Sequence, residues 1–516
     1  MAVMYDSILA RSFSKHEQKK LRYGAFVCCL LIALCFCTLL KPNLNPLPAL
    51  KLERSIGVKQ KIWALWETNS TQQAIKNVLE FPVIKTEEFE NLSDQVLADS
   101  ADLQQNASTL TSPIESSVPV DEETKIVEVV EENLEPLCKT EEPRTEYCEI
   151  NNRDVRVDAS SSSVFVASSS QIWNRSWTIR PYARKEDKTA LGNTRAWSVK
   201  PVQTGAQLKI PQCTRDHSVP AILFSTGGYV GNHFHEFTDV VIPLFITSRK
   251  YDGEVQFLVS DMKPWWIAKY QAVLKGLSKY EIIDIDKEEA VHCFPSVTVG
   301  LKRHEKELSI DPSKHSYSMK DFREFLRNRY SLKRASAIRI RENRQRKRPR
   351  LLIIPRKRTR SFTNTGEITK MARRLGFKVI VAEADMNLSK FAEVVNSCDV
   401  LVGVHGAGLT NLVFLPENAI LIQILPVGRF QWLATNYFGK PSEGMNLKYL
   451  EYEISNEEST LTQQYPLDHP VFTDPSSIGK QGWLAFYSLY LQKQNVHLNV
   501  QRFRPTLLKA LELLHQ

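Results

Sequence analysis

The sequence predicts an α/β protein of two sheet-and-helix domains, set behind an N-terminal apolar span and a polar stem. Three observations carry this. Tyr23 to Leu40 ("YGAFVCCLLIALCFCTLL") is uncharged and follows Lys15, Lys19, Lys20 and Arg22. Residues 41–137 are rich in Ser, Thr, Gln and Glu, with apolar residues too scattered for a packed core. From Cys138 onward, short apolar runs alternate with segments of helical spacing, interrupted once by the charged tract "RENRQRKRPR". A chain of 516 residues has room for two such domains.

The run at 23–40 is just long enough to cross a thin bilayer. Its basic flank assigns residues 1–22 to a cytosolic tail and sends the rest across. No small-residue cleavage site follows, so the expectation is an uncleaved transmembrane signal anchor: a single-pass type II protein of the Golgi membrane with its body in the lumen. Four of the nine cysteines lie inside the span. Beyond it stand Cys138, Cys148, Cys213, Cys293 and Cys398, the first two close enough for a local disulfide. Glycosylation acceptors at Asn69, Asn91, Asn106, Asn174 and Asn387 suit the same compartment. The net charge of +9 permits a nucleic-acid partner. The anchor places the basic tract on the wrong side of a membrane, however, and no nucleic-acid fold pattern accompanies it.

The first domain is expected over 138–345. "SSSVFVASSS" and "RAWSVKP" read as short strands of a small β region, and "VPAILFSTG" as a buried strand. "HFHEFTDVVIPLFITSRKY" then follows at helical spacing. "EVQFLVSD" is the next strand, "WWIAKYQAVLKGLSKY" a helix, and "YEIIDID", "CFPSVTVG" and "SMKDFREFLRNRYSL" continue the alternation. The second domain is expected over 346–516. It opens with "LLIIP" and runs helix, strand, helix, strand through "ITKMARRLGFKVIVAEADMNLSKFAEVVNSCDVLVGVHGAG", ending in the helix "RPTLLKALELL". A cleft is expected between the two.

Three clusters carry candidate chemistry. In "GGYVGNHFHEFTDV", glycines turn the chain after a buried strand, and His235 and Asp239 stand four apart on one helix face. A carboxylate beside an imidazole can take a proton from a hydroxyl. Glu236, one turn before Asp239, competes for the same role. Zinc ligation lacks an H-E-x-x-H spacing and an identifiable third ligand. Arg356 and Arg360 in "PRKRTR" follow a strand at the sheet's carboxyl edge, where guanidiniums can clamp a diphosphate. "GVHGAGLTN" places His405, Gly406, Gly408 and Asn411 at a strand-to-helix turn, where a bound group can approach the backbone and free N–H groups face an anion. Asp284 and Asp286 in "DID" read as an ordinary charged loop rather than a metal–diphosphate chelate. Trp265 and Trp266 read equally as a sugar-stacking wall or as core.

"STGGYVGNHFHEFTDVVIPLFIT" followed by "GVHGAGLTNLVFLPENAILIQILP", with "KPWWIAKYQAVLKGLSKY" and "IIPRKRTR", resembles glycosyltransferase family 61, in its plant xylan-modifying branch. The resemblance spans roughly 138–516. It implies a GT-B fold of two Rossmann-like domains facing a cleft, with the acceptor on the N-terminal side and the nucleotide sugar on the C-terminal side. It also implies inverting transfer of a pentose from a UDP-sugar, with no obligatory metal or other cofactor. By similarity Asp239 is the candidate base with His235 beside it, and His405, Gly406, Gly408 and Asn411 line the nucleotide site with Arg356 at the diphosphate. The expected reaction is α-1,3-arabinofuranosyl transfer from UDP-arabinofuranose to xylan, in association with other xylan-synthesis enzymes. The alternatives are xylosyl transfer to xylan from UDP-xylose, then β-1,2-xylosyl transfer to the N-glycan core. A membrane-anchored lumenal lectin is the non-enzymatic alternative.

Overall fold

The computed structural model describes residues 137–168, 175–203, 210–340, 347–384 and 387–515, all within one compact unit, Asp99–Gln516. Three sheets organise them. The first runs Cys138–Lys139, Tyr147–Ile150, Val297–Val299, Ala221–Ser225, Gln256–Ser260, Ile283–Asp284, and its last four strands are parallel. A second six-stranded sheet, built from Val155–Asp158, Ser163–Ser168, Trp177–Ile179, Trp197–Gln203, Arg215–Asp216 and Val291–Phe294, covers one face of it. The third is wholly parallel, in the order Lys378–Val381, Arg350–Ile354, Val400–Val404, Ile420–Leu425, Lys448–Glu453.

The apolar runs explain this layering. Side chains alternate across a strand, so an unbroken apolar run must be buried on both faces. Ala221 and Leu223 pack against the second sheet, while Ile222 and Phe224 point the other way. In the third sheet Leu351, Ile353, Val400, Val402, Ile420 and Ile422 face one core, and Leu352, Ile354, Leu401 and Leu421 face its opposite. Phe224 and Leu352 belong to the same apolar cluster, with Phe237, Phe322 and Phe414 in its middle. The first and third sheets therefore share one core and are welded along it.

Arg323 completes the weld. It lies on the helix Met319–Arg329, which begins with a capping box between Ser318 and Asp321. Its buried guanidinium donates to the carbonyls of Val413, Leu415 and Met445, closing off the end of the helical turn Ala407–Phe414. A cation suits the carbonyl end of a helix, and burial lowers its pKa to about 10. Arg323→Met would strand those carbonyls. We expect a loss of about 3 kcal/mol or more in chemical denaturation; an unchanged midpoint would show that they find other donors.

Both parallel arrays present a switch point. In the third sheet the strand order reverses between Arg350–Ile354 and Val400–Val404; in the first it reverses between Val297–Val299 and Ala221–Ser225. Ligands collect outside the carboxyl ends of strands at such points. The segments after these four strands carry Arg356, His405, Arg303 and Gly227, respectively.

The expected fold is corrected on two counts. The small β region is a full six-stranded sheet, so the N-terminal half is more than a Rossmann-like unit. Further, no helix among the described residues is long and apolar enough to cross a membrane. The longest α-helix among them, Val500–His515, has 16 residues and buries only Phe503, Leu507, Ala510 and Leu514 along one stripe. It reaches about 24 Å, short of a hydrocarbon core of about 30 Å. The transmembrane helix, signal anchor and single-pass Golgi-membrane placement are corrected accordingly; the run at 23–40, like the tail 1–22 and nearly all of the stem, lies outside the described residues. So do Asn69, Asn91, Asn106 and Asn174. Asn387 is described: it is exposed and caps the helix Leu388–Asn396. Cys138 bonds Cys148, Cys213 bonds Cys293, and Cys398 is free and buried.

Candidate active site

The first half of the site grows from one proline. The helical run from His233 to Ser248 is continuous, but Pro243 has no N–H for the carbonyl four residues back, that of Asp239. The chain absorbs this by widening into a π turn over Glu236–Val241. Such turns recur at functional sites. Here the turn lies wholly within the core and carries Asp239 inside.

Asp239 is completely buried and both its oxygens are engaged. One accepts from the Tyr182 hydroxyl at 3.0 Å and from His235 Nδ1 at 2.9 Å. The other faces Arg184 at 3.3 Å and Arg303 at 3.2 Å. Glu307 accepts from Arg303 and from Thr238, and lies 3.7 Å from Arg184. Burial opposes ionisation of Asp239, but Arg303, the His235 hydrogen bond and Arg184 outweigh it and hold the carboxyl below its ordinary range. Gly228 makes room for this arrangement. It has φ +53°, and a Cβ there would sit 2.4 Å from the Tyr182 ring. An ionised carboxylate only accepts, so the Nδ1 of His235 that faces it carries a hydrogen, and the neutral form of the ring has its lone pair on Nε2. The His235 side chain is 18% exposed, Asp239 not at all.

Glu236 points elsewhere. It is buried against Lys269 at 2.5 Å, the Tyr270 hydroxyl at 2.7 Å and His233 Nδ1 at 3.4 Å. Burial resists its ionisation, but the His233 hydrogen bond and the Lys269 ammonium prevail and bring its pKa to about 2. Its stabilisation is present above the ordinary value of 4.5 and is lost as pH falls towards about 2. Buried His233, whose pKa is lowered chiefly by burial, resists protonation as pH falls below its ordinary value of 6.5. Acid should therefore lower the melting temperature from about pH 5 downwards, and Glu236→Gln should flatten part of that slope. An identical slope in the variant would place the acid sensitivity elsewhere.

The second half of the site sits on the third sheet. Arg356 and Arg360 are half-buried, with left-handed backbone at φ 55° and 53°. Conformations of this kind cost bulky residues about 1–3 kcal/mol and gather at functional sites. Arg356 donates to the Thr359 carbonyl at 2.7 Å and Arg360 to the His405 carbonyl at 2.6 Å. Neither guanidinium has a carboxylate within ion-pair distance among the described residues. Burial, with Arg356 alongside, lowers Arg360 to about 9. The two meet over Gly406, which has φ +142°; a Cβ there would lie 2.8 Å from Nη1 of each. Two half-buried like charges, without a counter-ion among the described residues, over a bare backbone make a cradle for a dianion.

His405 lies under the cradle, its Nδ1 accepting from the Gln423 amide at 2.6 Å. Burial first, then Arg360 and Arg356, lower its pKa to about 3, so the ring is neutral. Asn411 joins the halves: it donates to the Gly408 carbonyl at 2.9 Å and meets His233 Nε2 at 3.3 Å.

The structure thus gathers Arg356, Arg360, His405, Gly406, Gly408 and Asn411 on one wall and His235 with Asp239 on another, with Glu236 in a separate buried cluster. Sequence reading missed Tyr182, Arg184, Arg303, Glu307, Lys269, Tyr270 and Gln423; only the four-residue spacing of Arg303 and Glu307 hinted at a pair. Asp286 is engaged by Arg195 at 2.7 Å and Ser260 at 3.0 Å, and Asp284 by Lys287 at 2.7 Å. Cys213, Asp216 and Cys293 cluster closely enough for a metal, but the two cysteines are bonded to each other. Trp266 is core, packed on Phe224 and Tyr270, whereas Trp265 is 38% exposed.

Comparison with known proteins accords with this geometry. Residues 234–422, from the helix of the His235–Asp239 pair through the glycine-rich turn, match the model of glycosyltransferase 61. The chain is 49% identical over 340 residues to the β-1,2-xylosyltransferase XYXT1 of Oryza sativa subsp. japonica, covering 66% of this chain and 72% of that one. It is 46% identical over 391 residues to the α-1,3-arabinosyltransferase XAT3 of the same plant, covering 75% and 66%. With the xylan glycosyltransferase MUCI21 of Arabidopsis thaliana it shares 36% over 395 residues, covering 71% and 77%. The chain spans 66% and 65% of the two rice arabinosyltransferases it matches. On these matches, which take in both groups of site residues, the chain belongs to glycosyltransferase family 61.

Proposed function

We propose that this chain moves a pentose from a UDP-sugar to xylan by a single inverting displacement, with UDP-xylose as the donor. The observation that carries the reaction class is the Arg356–Arg360 cradle over Gly406, without a carboxylate in ion-pair distance among the described residues and joined through Asn411 to His233, two residues from His235. A nucleoside diphosphate is the dianion such a cradle suits. The acceptor hydroxyl oxygen bonds to the anomeric carbon as the bond from that carbon to the diphosphate breaks. The hydroxyl proton passes to His235 Nε2, while Asp239, through Nδ1, orients the ring and steadies the imidazolium. Charge developing on the leaving diphosphate is met by the two guanidiniums, already in place. They supply the positive charge at the leaving group, so the proposed step calls on no metal. Asp239 thereby becomes a positioning residue rather than the base. Its four partners leave it no lone pair directed at a substrate.

The choice of pentose rests on the relatives. The rice xylosyltransferase shares more identity with this chain than does the arabinosyltransferase XAT3, and more of its own length is matched. These figures favour xylosyl over the arabinofuranosyl transfer expected from the motifs. The test is the full chain with xylo-oligosaccharides, given UDP-xylose or UDP-arabinofuranose and read by mass spectrometry. A pentose added from UDP-xylose, with EDTA present, is the expected result. Transfer from UDP-arabinofuranose alone would reinstate the arabinosyl reading; transfer from neither would remove xylan from the account.

A further inference from the structure

We propose that Trp432 is a stacking platform for the polysaccharide acceptor, holding a sugar of the same chain a few residues from the one that reacts at His235. The inference rests on the pentosyl-transfer reading and adds where the acceptor lies. Trp432 is 52% exposed on the helix Gln431–Ala434. A line of rings leads from it to the catalytic wall. Its ring centroid is 6.0 Å from that of Tyr437; Tyr437 is stacked on Phe234 at 5.1 Å; and Phe234 is 5.5 Å from His235. The line crosses from the helix that follows the third sheet's strand Ile420–Leu425 to the one that follows the first sheet's strand Ala221–Ser225. Tyr437 also lies within electrostatic reach of Glu307, Arg184 and Arg303, the groups around Asp239.

The local backbone repeats the device that built the dyad. Pro441 has no N–H for the carbonyl four residues back, that of Tyr437, and the chain widens into a π turn over Thr435–Gly439. Asp239 stands in the same relation to Pro243. The occupant follows from the surroundings of Trp432. Gln431 and Thr435 beside it are exposed and Asn436 partly so, which breaks up any continuous apolar patch of the kind a protein partner buries. A flat ring among amides and hydroxyls instead matches a sugar, which offers C–H bonds on one face and hydroxyls at its rim. The ring is uncharged, as is an unsubstituted pentose polymer.

The test compares Trp432→Ala with the wild-type full chain on xylobiose and xylohexaose, using UDP-xylose. The acceptor KM for xylohexaose should rise about tenfold or more, with kcat, the donor KM and the melting temperature unchanged. The advantage of xylohexaose over xylobiose should shrink, and Trp432→Phe should restore part of it. Equal KM values for wild type and variant at both lengths would overturn the proposal, as would a fall in kcat without a change in acceptor KM. Calorimetric titration of xylohexaose without donor separates the two levels. Binding that depends on Trp432, in a wild type that transfers no pentose, keeps the platform and sinks the transfer reading. Binding that Trp432→Ala leaves intact, or no binding by wild type, sinks the platform.

Discussion

Replacing Arg360 by alanine is expected to weaken UDP binding by about 100-fold while leaving thermal stability unchanged or raised. A hydrogen-bonded charge pair with a phosphate contributes about 1.5–3 kcal/mol, so each guanidinium is worth roughly 10- to 100-fold, and the double variant with Arg356→Ala about 1,000-fold or more. Stability should move the other way because the free protein gains little from these side chains. Both are half-buried, neither has a carboxylate within ion-pair distance among the described residues, and they repel one another. Taking away a buried charge that has no partner is often neutral or stabilising. What is lost is the bond of Arg360 to the His405 carbonyl and those of Arg356 to the carbonyl and hydroxyl of Thr359.

Titration calorimetry with UDP and melting curves with and without UDP read both halves of this prediction. Wild type should melt higher as UDP is added, and the double variant should not respond. Gly406→Ala is the control that leaves both charges in place: its Cβ would enter the space between the two Nη1 atoms and block the cradle by volume. A double variant that melts well below wild type and still binds UDP would make the arginines structural and move the diphosphate elsewhere.

The contrast between the two walls shows what a sequence discloses. The strands Ala221–Ser225, Gln256–Ser260, Val400–Val404 and Ile420–Leu425 were legible because burial on both faces demands an unbroken apolar run. The cradle was legible for a related reason: Arg356, Arg360 and Gly406 are local to two strand ends, and a parallel sheet brings such ends together. The surroundings of Asp239 were not. Tyr182 and Arg184 come from one stretch and Arg303 from another about 120 residues on, and no local spacing announces that they converge on Asp239. Only the packed structure distinguishes a carboxylate that meets the substrate from one enclosed behind a histidine. The tryptophan pair repeats the point, since adjacent positions on one helix sent Trp266 into the core and Trp265 to the surface.

That distinction makes the dyad testable. His235→Gln should lower kcat by about 1,000-fold or more, within the range for removing a positioned proton acceptor, with UDP affinity, donor KM and melting temperature near wild type. The side chain is partly exposed and, among the described residues, hydrogen-bonds Asp239 alone, so the fold has little invested in it. Asp239→Asn should differ in kind. It leaves Arg184 and Arg303 facing a neutral amide in a buried site, so stability should fall by about 3–5 kcal/mol, the scale for breaking a buried ion pair. It also replaces an acceptor-only carboxylate by an amide that can donate to Nδ1 of His235 and favour the wrong tautomer, so kcat should fall even where the variant remains folded. Stability and kcat therefore drop together in Asp239→Asn and separate in His235→Gln. Were Asp239 itself the base, His235→Gln would keep most of its rate; a variant within tenfold of wild type would return the proton to the carboxylate. Added imidazole offers an independent reading, because His235→Ala leaves a gap beside an intact Asp239. Recovery of turnover with imidazole, in His235→Ala and not in Asp239→Asn, would place proton transfer on the ring and orientation on the carboxylate behind it.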